Sequence, residues 1–407
     1  MRIQLWSYNY DPEPQGIAPL SRMLAVELSA LGHDVLVVAA HPHYPEPSWG
    51  RRLRPYRERR DGLQVLRLPL WIGRESGIER MRQEVSFALA QALVAPVLPS
   101  ADAIVAVTPC FPALAAAMML SRLRRTPWIM WVQDIVTDGA ATTGLIENGP
   151  LLKAAHRFER MTYASASRVV VISEAFRENL EAKGVSSEKI VRIFNPSSRQ
   201  TSEPIDLDAA PAKPRILAMG NIGHSQGLDR IVDAFQDNSE LESLDAELVI
   251  AGHGVAAEDV RARIENGRVH MPGVLYGEQL EPELRSASIG LVSQRADVQE
   301  FNLPSKLMNY MAYGIPVIAS VRVGSETARI VQESGAGWVT DAQTPSEFAS
   351  AAAAKLRDPE TLQTAGRAGF AYAKDNFHPS AVAGRFEAVI GDVLGGGSTG
   401  RAAAAGG

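Results

Sequence analysis

The chain of 407 residues holds a single cysteine, Cys110. No intrachain disulfide and no cysteine-based structural metal site can form, and the chain reads as made for a reducing compartment. Aromatic residues are scarce at 6% and interleave with basic residues on no recognisable reading module, so nucleic acid is not an expected partner. Long apolar runs are missing too. The most apolar stretch, residues 87–107, is broken by Gln91, Pro96, Pro99 and Asp102, which makes it a poor membrane span. Residues 1–13 lack the charged-then-apolar layout of a secretory signal, so the expected location is cytoplasmic. No G-x-G-x-x-G fingerprint and no Walker lysine occurs, which argues against a nicotinamide-dependent dehydrogenase. His41-Pro-His43 has no evident partner carboxylate, and Asp206-Leu-Asp208 does not follow a strand, so no metal is expected.

What is present is globular. A hydrophobic share of 46% is ample for real cores, and the length fits two or three domains at about 150 residues each. Short β-branched runs alternate with helical segments: 2–6, 34–39, 63–68, 103–107, 128–132 and 168–172 in the first half. Several are apolar throughout, as strands buried on both faces must be. The pattern stops over 196–214, rich in Pro, Ser and Asp, and restarts with 215–219, 246–251, 288–292 and 316–320. The expected fold class is α/β, with two doubly wound, parallel-sheet (Rossmann-like) domains facing a cleft. The expected boundaries are 1–195, a linker at 196–214, and 215–378. A C-terminal helix over 379–394 is expected to pack back on the first domain, and 395–407 reads as a disordered tail.

Ligands of such sheets sit beyond the carboxyl ends of the strands, so the strand-to-helix loops are where chemistry is sought. In SYNYDPEPQGIAPL (7–20), Gly16 either lets backbone amides approach a ligand at a helix expected to start near Ser21 or simply makes a tight turn. In AMGNIGHSQGLDRIV (218–232), Gly220, Gly223 and Gly227 precede an amphipathic helix, and their free amides suit a diphosphate. Asn221 and Gln226 add neutral hydrogen bonds; a plain packing turn is the other reading. Gly252 and Gly254 flank His253 and read either as backbone beneath a nucleotide base or as a tight turn. In FNLPSKLMNYMAYGIPVIAS (301–320), Pro304 and Ser305 start a helix with Lys306 in its first turn. A cation is disfavoured there by the helix dipole, so its presence reads either as the answer to a second anion, such as a diphosphate, or as a lysine pointing into solvent. Ser325 reads as a cap with Glu326 just inside the next helix; capping alone explains both, and reach of the Glu326 carboxylate to sugar hydroxyls is the other reading. Asp134, after WIMWV, reads either as a turn cap or as the best first-domain carboxylate.

Charge is uneven. Residues 1–200 carry 24 Lys and Arg against 19 Asp and Glu, and the remainder 17 against 27. The densest patch, RRLRPYRERR (51–60), begins with Arg51 and Arg52 and reads as a solvated basic loop or as a contact for anionic head groups or a pyrophosphate.

Together these loops resemble family 4 of the retaining glycosyltransferases, of GT-B architecture. The match is to the branch that assembles bacterial surface polysaccharides of colanic-acid and O-antigen type. The carrying segments are YNYDPEPQGIAPL, WVQDIVTDGA (131–140), VVISEAFRENL (170–180), GNIGHSQGLDRIVDAF (220–235), AGHG (251–254) and LPSKLMNYMAYGIPVIAS with GSE (303–326). The resemblance implies a nucleotide-sugar donor, UDP-linked by preference, held by the second domain through Gly220, Asn221, Gly223, Gln226, Gly252, Gly254, Pro304, Ser305, Asn309 and Glu326. It implies a polyprenyl-diphosphate-linked sugar acceptor on the first domain, near Gly16, Arg51 and Arg52, with peripheral contact to an anionic membrane. Lys306 and Asp134 would serve catalysis, and no metal and no cofactor is implied. Asn221 and Gln226 stand where many members have Arg and Lys; Phe301 and Asn309 stand where many have two glutamates. A nucleotide-sugar 2-epimerase and a non-catalytic nucleotide-sugar-binding partner remain open as other readings.

Overall fold

The computed structural model describes every residue except 45–48, 74–75, 109, 136–149, 207–212, 276, 299–302 and 404–407. The chain divides into two compact units, Met1–Asn195 with Pro379–Gly407, and Pro196–His378.

In the first unit the strands are β1 (Arg2–Ser7), β2 (Asp34–Ala40), β3 (Tyr56–Arg60), β4 (Leu63–Leu68), β5 (Ala103–Val107), β6 (Trp128–Val132), β7 (Arg168–Val171) and β8 (Ile190–Arg192). They form one sheet in the order β3-β4-β2-β1-β5-β6-β7-β8. Between them run α1 (Ile17–Ala30), α2 (Gly77–Val94), α3 (Phe111–Arg124), α4 (Pro150–Ser165) and α5 (Glu174–Ala182). Every residue of β5 and β6 is buried, because helices cover both faces of a parallel sheet. The basic patch departs from the loop expected of it. Tyr56–Arg60 is an edge strand, and it pairs antiparallel with β4. Strand pairing is satisfied by backbone whatever the side chains, and an arginine-rich strand is tolerated at an edge, where alternate residues face water.

In the second unit β9 (Arg215–Asn221), β10 (Glu247–His253), β11 (Val269–Gly273), β12 (Ile289–Ser293), β13 (Val317–Val321) and β14 (Gly337–Asp341) are all parallel, ordered β11-β10-β9-β12-β13-β14. The helices are α6 (Leu228–Gln236), α7 (Ser239–Ser243), α8 (Ala257–Arg261), α9 (Leu280–Ser286), α10 (Ser305–Tyr313), α11 (Glu326–Ser334), α12 (Pro345–Leu356) and α13 (Pro359–Asn376). The start of the segment read as a linker is packed onto this unit. The Ser197 amide donates to the Phe377 carbonyl at 2.8 Å, and the Ile205 amide to the Tyr313 carbonyl at 2.8 Å. Low periodicity therefore marks irregular backbone here, not freedom.

The chain closes with α14 (Pro379–Ala403), which belongs to the first unit. Val382, Ala383, Phe386, Val389 and Ile390 join that unit's core, and the Phe386 ring meets Trp131 edge-on at 5.0 Å. The helix continues past residue 394, where the sequence pattern ends it. Extending a formed helix adds a hydrogen bond per residue without a new nucleus, which offsets the cost of Gly395–Gly397.

Candidate active site

In the second unit the strand order reverses between β9 and β12. Ligands of open α/β sheets bind in the crevice at such a switch point, outside the carboxyl ends of the strands. The two loops that leave these strands are those of residues 222–227 and 294–304. They are locked together: the Ser293 hydroxyl donates to the Gln226 carbonyl at 2.6 Å, and the Arg295 amide to the Ser225 carbonyl at 2.8 Å.

The helix carrying Lys306 is placed by one buried tyrosine. The β9–β12 ladder ends at Leu217, and beyond it the Tyr310 hydroxyl of α10 donates to the Leu217 carbonyl (2.7 Å) and accepts from the Met219 amide (3.0 Å). A Cβ on Gly290 of β12 would lie 2.5 Å from the Tyr310 ring, so only glycine lets α10 come this close. Pro304 occupies the N-cap of α10 with no side-chain cap, and Ser305 is exposed at its first position. Lys306 follows in the first turn, half-buried. Desolvation alone pushes its pKa down to about 8, and among the described residues no carboxylate or carbonyl meets its ammonium. Lys306 is thus a partly desolvated cation at a helix N-terminus, with no counter-ion among the described residues.

The other donor-side residues divide. Gly220 adopts φ 106° at the exposed end of β9, where added atoms meet nothing within 4 Å. Asn221 is exposed beside it. Gln226 turns inward instead, its Oε1 accepting from the Gly223 amide at 2.8 Å, so this side chain shapes the loop. At Gly252 a Cβ would sit 1.8 Å from the Gly220 carbonyl oxygen, and at Gly254 2.3 Å from that of Ile222. Both glycines are thus required by the close approach of β10 to β9 and its loop, whatever ligand lies above. Asn309 is buried, and its Oδ1 accepts from the Ser197 and Ser198 hydroxyls at 2.8 and 3.2 Å; it anchors the segment before β9. Glu326 is buried in the first turn of α11, paired with Arg329, behind the Ser325 cap on the Ala328 amide (3.2 Å). Phe301 and the adjacent Glu300 lie outside the described residues.

Sequence reasoning missed Arg295. A Cβ on Gly227 would lie 3.1 Å from the Arg295 Cγ, so the arginine stem lies along the glycine loop. Its guanidinium reaches Asp297 at 3.2 Å in an exposed pair. No motif marks it; its place after a β-strand at the switch point is the only signal.

In the first unit the order reverses between β1 and β5. Gly16, φ 67°, is the N-cap of α1, four residues earlier than the expected start, with its first-turn amides uncapped by side chain. The loop after β1 is built on buried polar groups. Glu13 accepts the His43 and Tyr44 amides at 2.7 and 3.1 Å and the Asn9 amide group at 2.6 Å. Burial pushes its carboxyl up and these bonds pull it down, with a net rise. Arg67, wholly buried, holds Glu58 (2.8 Å) and the Ala40 carbonyl (3.1 Å). Arg51 and Arg52 are exposed just before β3, with Arg52 4.6 Å over the Tyr56 ring. Asp134 is exposed after β6, its backbone held by Thr108 (3.4 Å) and its neighbour Gln133 by a reciprocal amide pair with Asn195 (2.7 and 2.9 Å). Its carboxylate has no partner among the described residues, which end at 135 on this side and resume at 150.

With the geometry in place, known proteins can be compared. Residues 15–196 match the family described as "Glycosyl transferase 4-like domain", and residues 213–358 that described as "Glycosyl transferases group 1". The chain is 27% identical over 353 residues to the putative colanic acid biosynthesis glycosyl transferase WcaI of Escherichia coli K12, covering 82% of this chain and 86% of that one. Among solved structures, the sucrose-phosphate synthase of Thermosynechococcus elongatus is 17% identical with a TM-score of 0.68, over 97% of this chain and 100% of that one. The Anabaena protein HepE, solved with UDP, is 13% identical with a TM-score of 0.64, over 96% and 100%. Both likenesses are of fold.

Proposed function

The chain belongs to the glycosyltransferases of GT-B fold that join a 4-like domain to a group 1 domain, and from that premise we propose that it transfers a sugar from a nucleoside diphosphate, UDP first among the candidates, to a lipid-linked or glycan acceptor in surface-polysaccharide synthesis. The surface-polysaccharide part leans on the likeness to the colanic acid enzyme, and UDP on the liganded HepE fold.

The carrying observation is Lys306: a cation at the switch point, desolvated and with no described counter-ion. The bond from the anomeric carbon to the β-phosphate oxygen breaks, and negative charge grows on the departing diphosphate. The Lys306 ammonium and the amides around Gly220 and Ser305 are the groups proposed to meet that charge. Arg295 adds a second positive charge beside the glycine loop, where Asn221 and Gln226 bring none. The acceptor oxygen bonds to the anomeric carbon on the face the diphosphate leaves, which retains configuration. Its proton passes to the departing phosphate oxygen, and Asp134 orients the hydroxyl.

The test is a thermal-shift series with UDP, GDP, ADP and their glucose conjugates, on wild type and Lys306→Met. A ligand that binds only the folded state raises its melting point by mass action. One nucleotide family should raise the wild-type melting point and fail on the variant, whose turnover should fall about 10²-fold or more. No shift with any nucleotide, or equal shifts in both proteins, would remove the assignment.

A further inference from the structure

We propose that Glu13 and His43 are positioning residues for the acceptor side of the reaction: a hydrogen-bonded chain through them sets the Gly16 loop against the basic segment that starts at Gly50. This deepens the transferase reading above and rests on it for the acceptor.

The sequence leaves His41-Pro-His43 without a partner carboxylate, and the fold supplies one from the loop after β1. The His43 side chain is wholly buried and that of Glu13 is 1% exposed, with Nδ1 3.1 Å from Glu13 Oε1. The same nitrogen lies 3.0 Å from the His41 carbonyl. Both neighbours are acceptors, so Nδ1 carries the proton. Nε2 is then the acceptor. The Asn9 side-chain amide meets it at 3.4 Å and also donates to Glu13 Oε2 at 2.6 Å. Glu13 Oε1 takes the His43 and Tyr44 amides as well. Each of these neighbours of Glu13 offers a proton, and an ionised carboxylate, which only accepts, answers all of them.

The chain continues to the basic segment. His41 is also buried and is set as the opposite tautomer. Its Nε2–H donates to the Gly50 carbonyl and its Nδ1 accepts from the Tyr56 hydroxyl, both at 3.1 Å. Burial pulls the His41 pKa down, which favours this neutral form. Arg52 stands over the Tyr56 ring. Toward Gly16, the Asn9 carbonyl accepts the Ser7 hydroxyl at 2.6 Å, and that hydroxyl pairs with Ser21 of α1 at 2.9 Å. The Tyr44 hydroxyl donates to Gln15 at 3.3 Å, one residue before Gly16. Glu13 and His43 therefore join the flank that ends at Gly16 to the flank that carries Arg52, the two that the resemblance gives to the acceptor. Removing one acceptor from so closed a network orphans buried donors and frees both flanks.

The probe is farnesyl diphosphate, titrated by calorimetry into the full chain carrying Lys306→Met, which removes the diphosphate contact proposed for the second unit. On this parent, Glu13→Gln sets an amide donor against the donors of Asn9 and should weaken binding about tenfold. Arg52→Gln should weaken it about as much. Together they should cost less than about threefold beyond either alone, because Glu13 acts through the placement of Arg52. A merely structural Glu13 would give losses that multiply. Asn9→Ala changes a half-buried residue and keeps the backbone bonds of Glu13; it should weaken binding in the same direction even where Glu13→Gln fails to fold. Nitrogen-15 spectra of wild type at pH 7 should show the His43 ring neutral and protonated on Nδ1. With Lys306 intact, Asn9→Ala should keep the nucleotide-induced rise in melting point. The proposal is overturned if the parent binds no farnesyl diphosphate, if both Glu13→Gln and Asn9→Ala bind as tightly as the parent, if the two losses multiply in full, or if His43 is protonated on Nε2. A wild type that no nucleotide stabilises ends the transferase reading instead, and the farnesyl diphosphate cycle is read independently of it.

Discussion

Replacing Lys306 with methionine should stabilise the unliganded protein while disabling it. The side chain keeps its length and loses its charge. In the fold, desolvation lowers the lysine pKa from 10.5 to about 8. At 1.36 kcal/mol per unit, that corresponds to roughly 3 kcal/mol of penalty on the charged form. Lys306 is only half-buried, and water screens part of this, so about 1–3 kcal/mol is the working range. For a unit of this size it raises the melting point by about 2–12 °C. The pH dependence has a definite sign. Below pH 8 both folded and unfolded chains carry the proton, and the full penalty acts on wild type. Between about 8 and 10.5 the unfolded chain binds more protons, so wild-type stability climbs and the advantage of methionine fades. Calorimetry of both proteins at pH 7 and 9.5 measures this. In parallel, UDP binding near pH 8 should draw roughly half a proton into wild type and none into the variant, read by titration in buffers of different ionisation enthalpy. A variant less stable than wild type at pH 7, or a gain indifferent to pH, would refute the desolvated-cation argument.

Tyr310→Phe leaves the Leu217 carbonyl and Met219 amide unpaired; it should cost about 2 kcal/mol in urea unfolding and weaken nucleotide binding as α10 shifts. Gly252→Ala drives a methyl into the Gly220 carbonyl and should cost more than about 3 kcal/mol, whereas Gly16→Ala meets only backbone strain and should cost about 1 kcal/mol; comparable losses would mean Gly252 is no strand contact. Asp134→Asn should leave the melting point unchanged, because its carboxylate has no described partner, while turnover with acceptor falls.

Much of the fold is legible in the chain. Runs such as AIVAV and WIMWV are apolar at every position and become buried strands, because a strand covered on both faces tolerates nothing else. Helix ends are equally plain: Ser173 and Ser325 cap where the pattern places them, and Gly314 closes α10 at φ 72°. These are local rules, satisfied within a few residues. The strand beginning at Tyr56 was invisible, since YRERR carries no apolar period and edge pairing uses backbone alone.

The site divides along the same line. That a lysine stands in the first turn of a helix after a strand is a fact of sequence, and dipole physics flags it without any structure. Tertiary packing alone decided that β9 and β12 are neighbours, and hence that Arg295 lies along the glycine loop. Packing also turned Asn309 and Gln226 inward, through serines 112 and 111 residues from the former and an amide three residues from the latter. In α2, which face is covered depends on partners distant in the chain. Gln83 finds Tyr8, 75 residues away, and that long-range bond leaves leucines facing outward. Local composition governs which residues can form an element; only the neighbours brought by folding determine which side of it meets water.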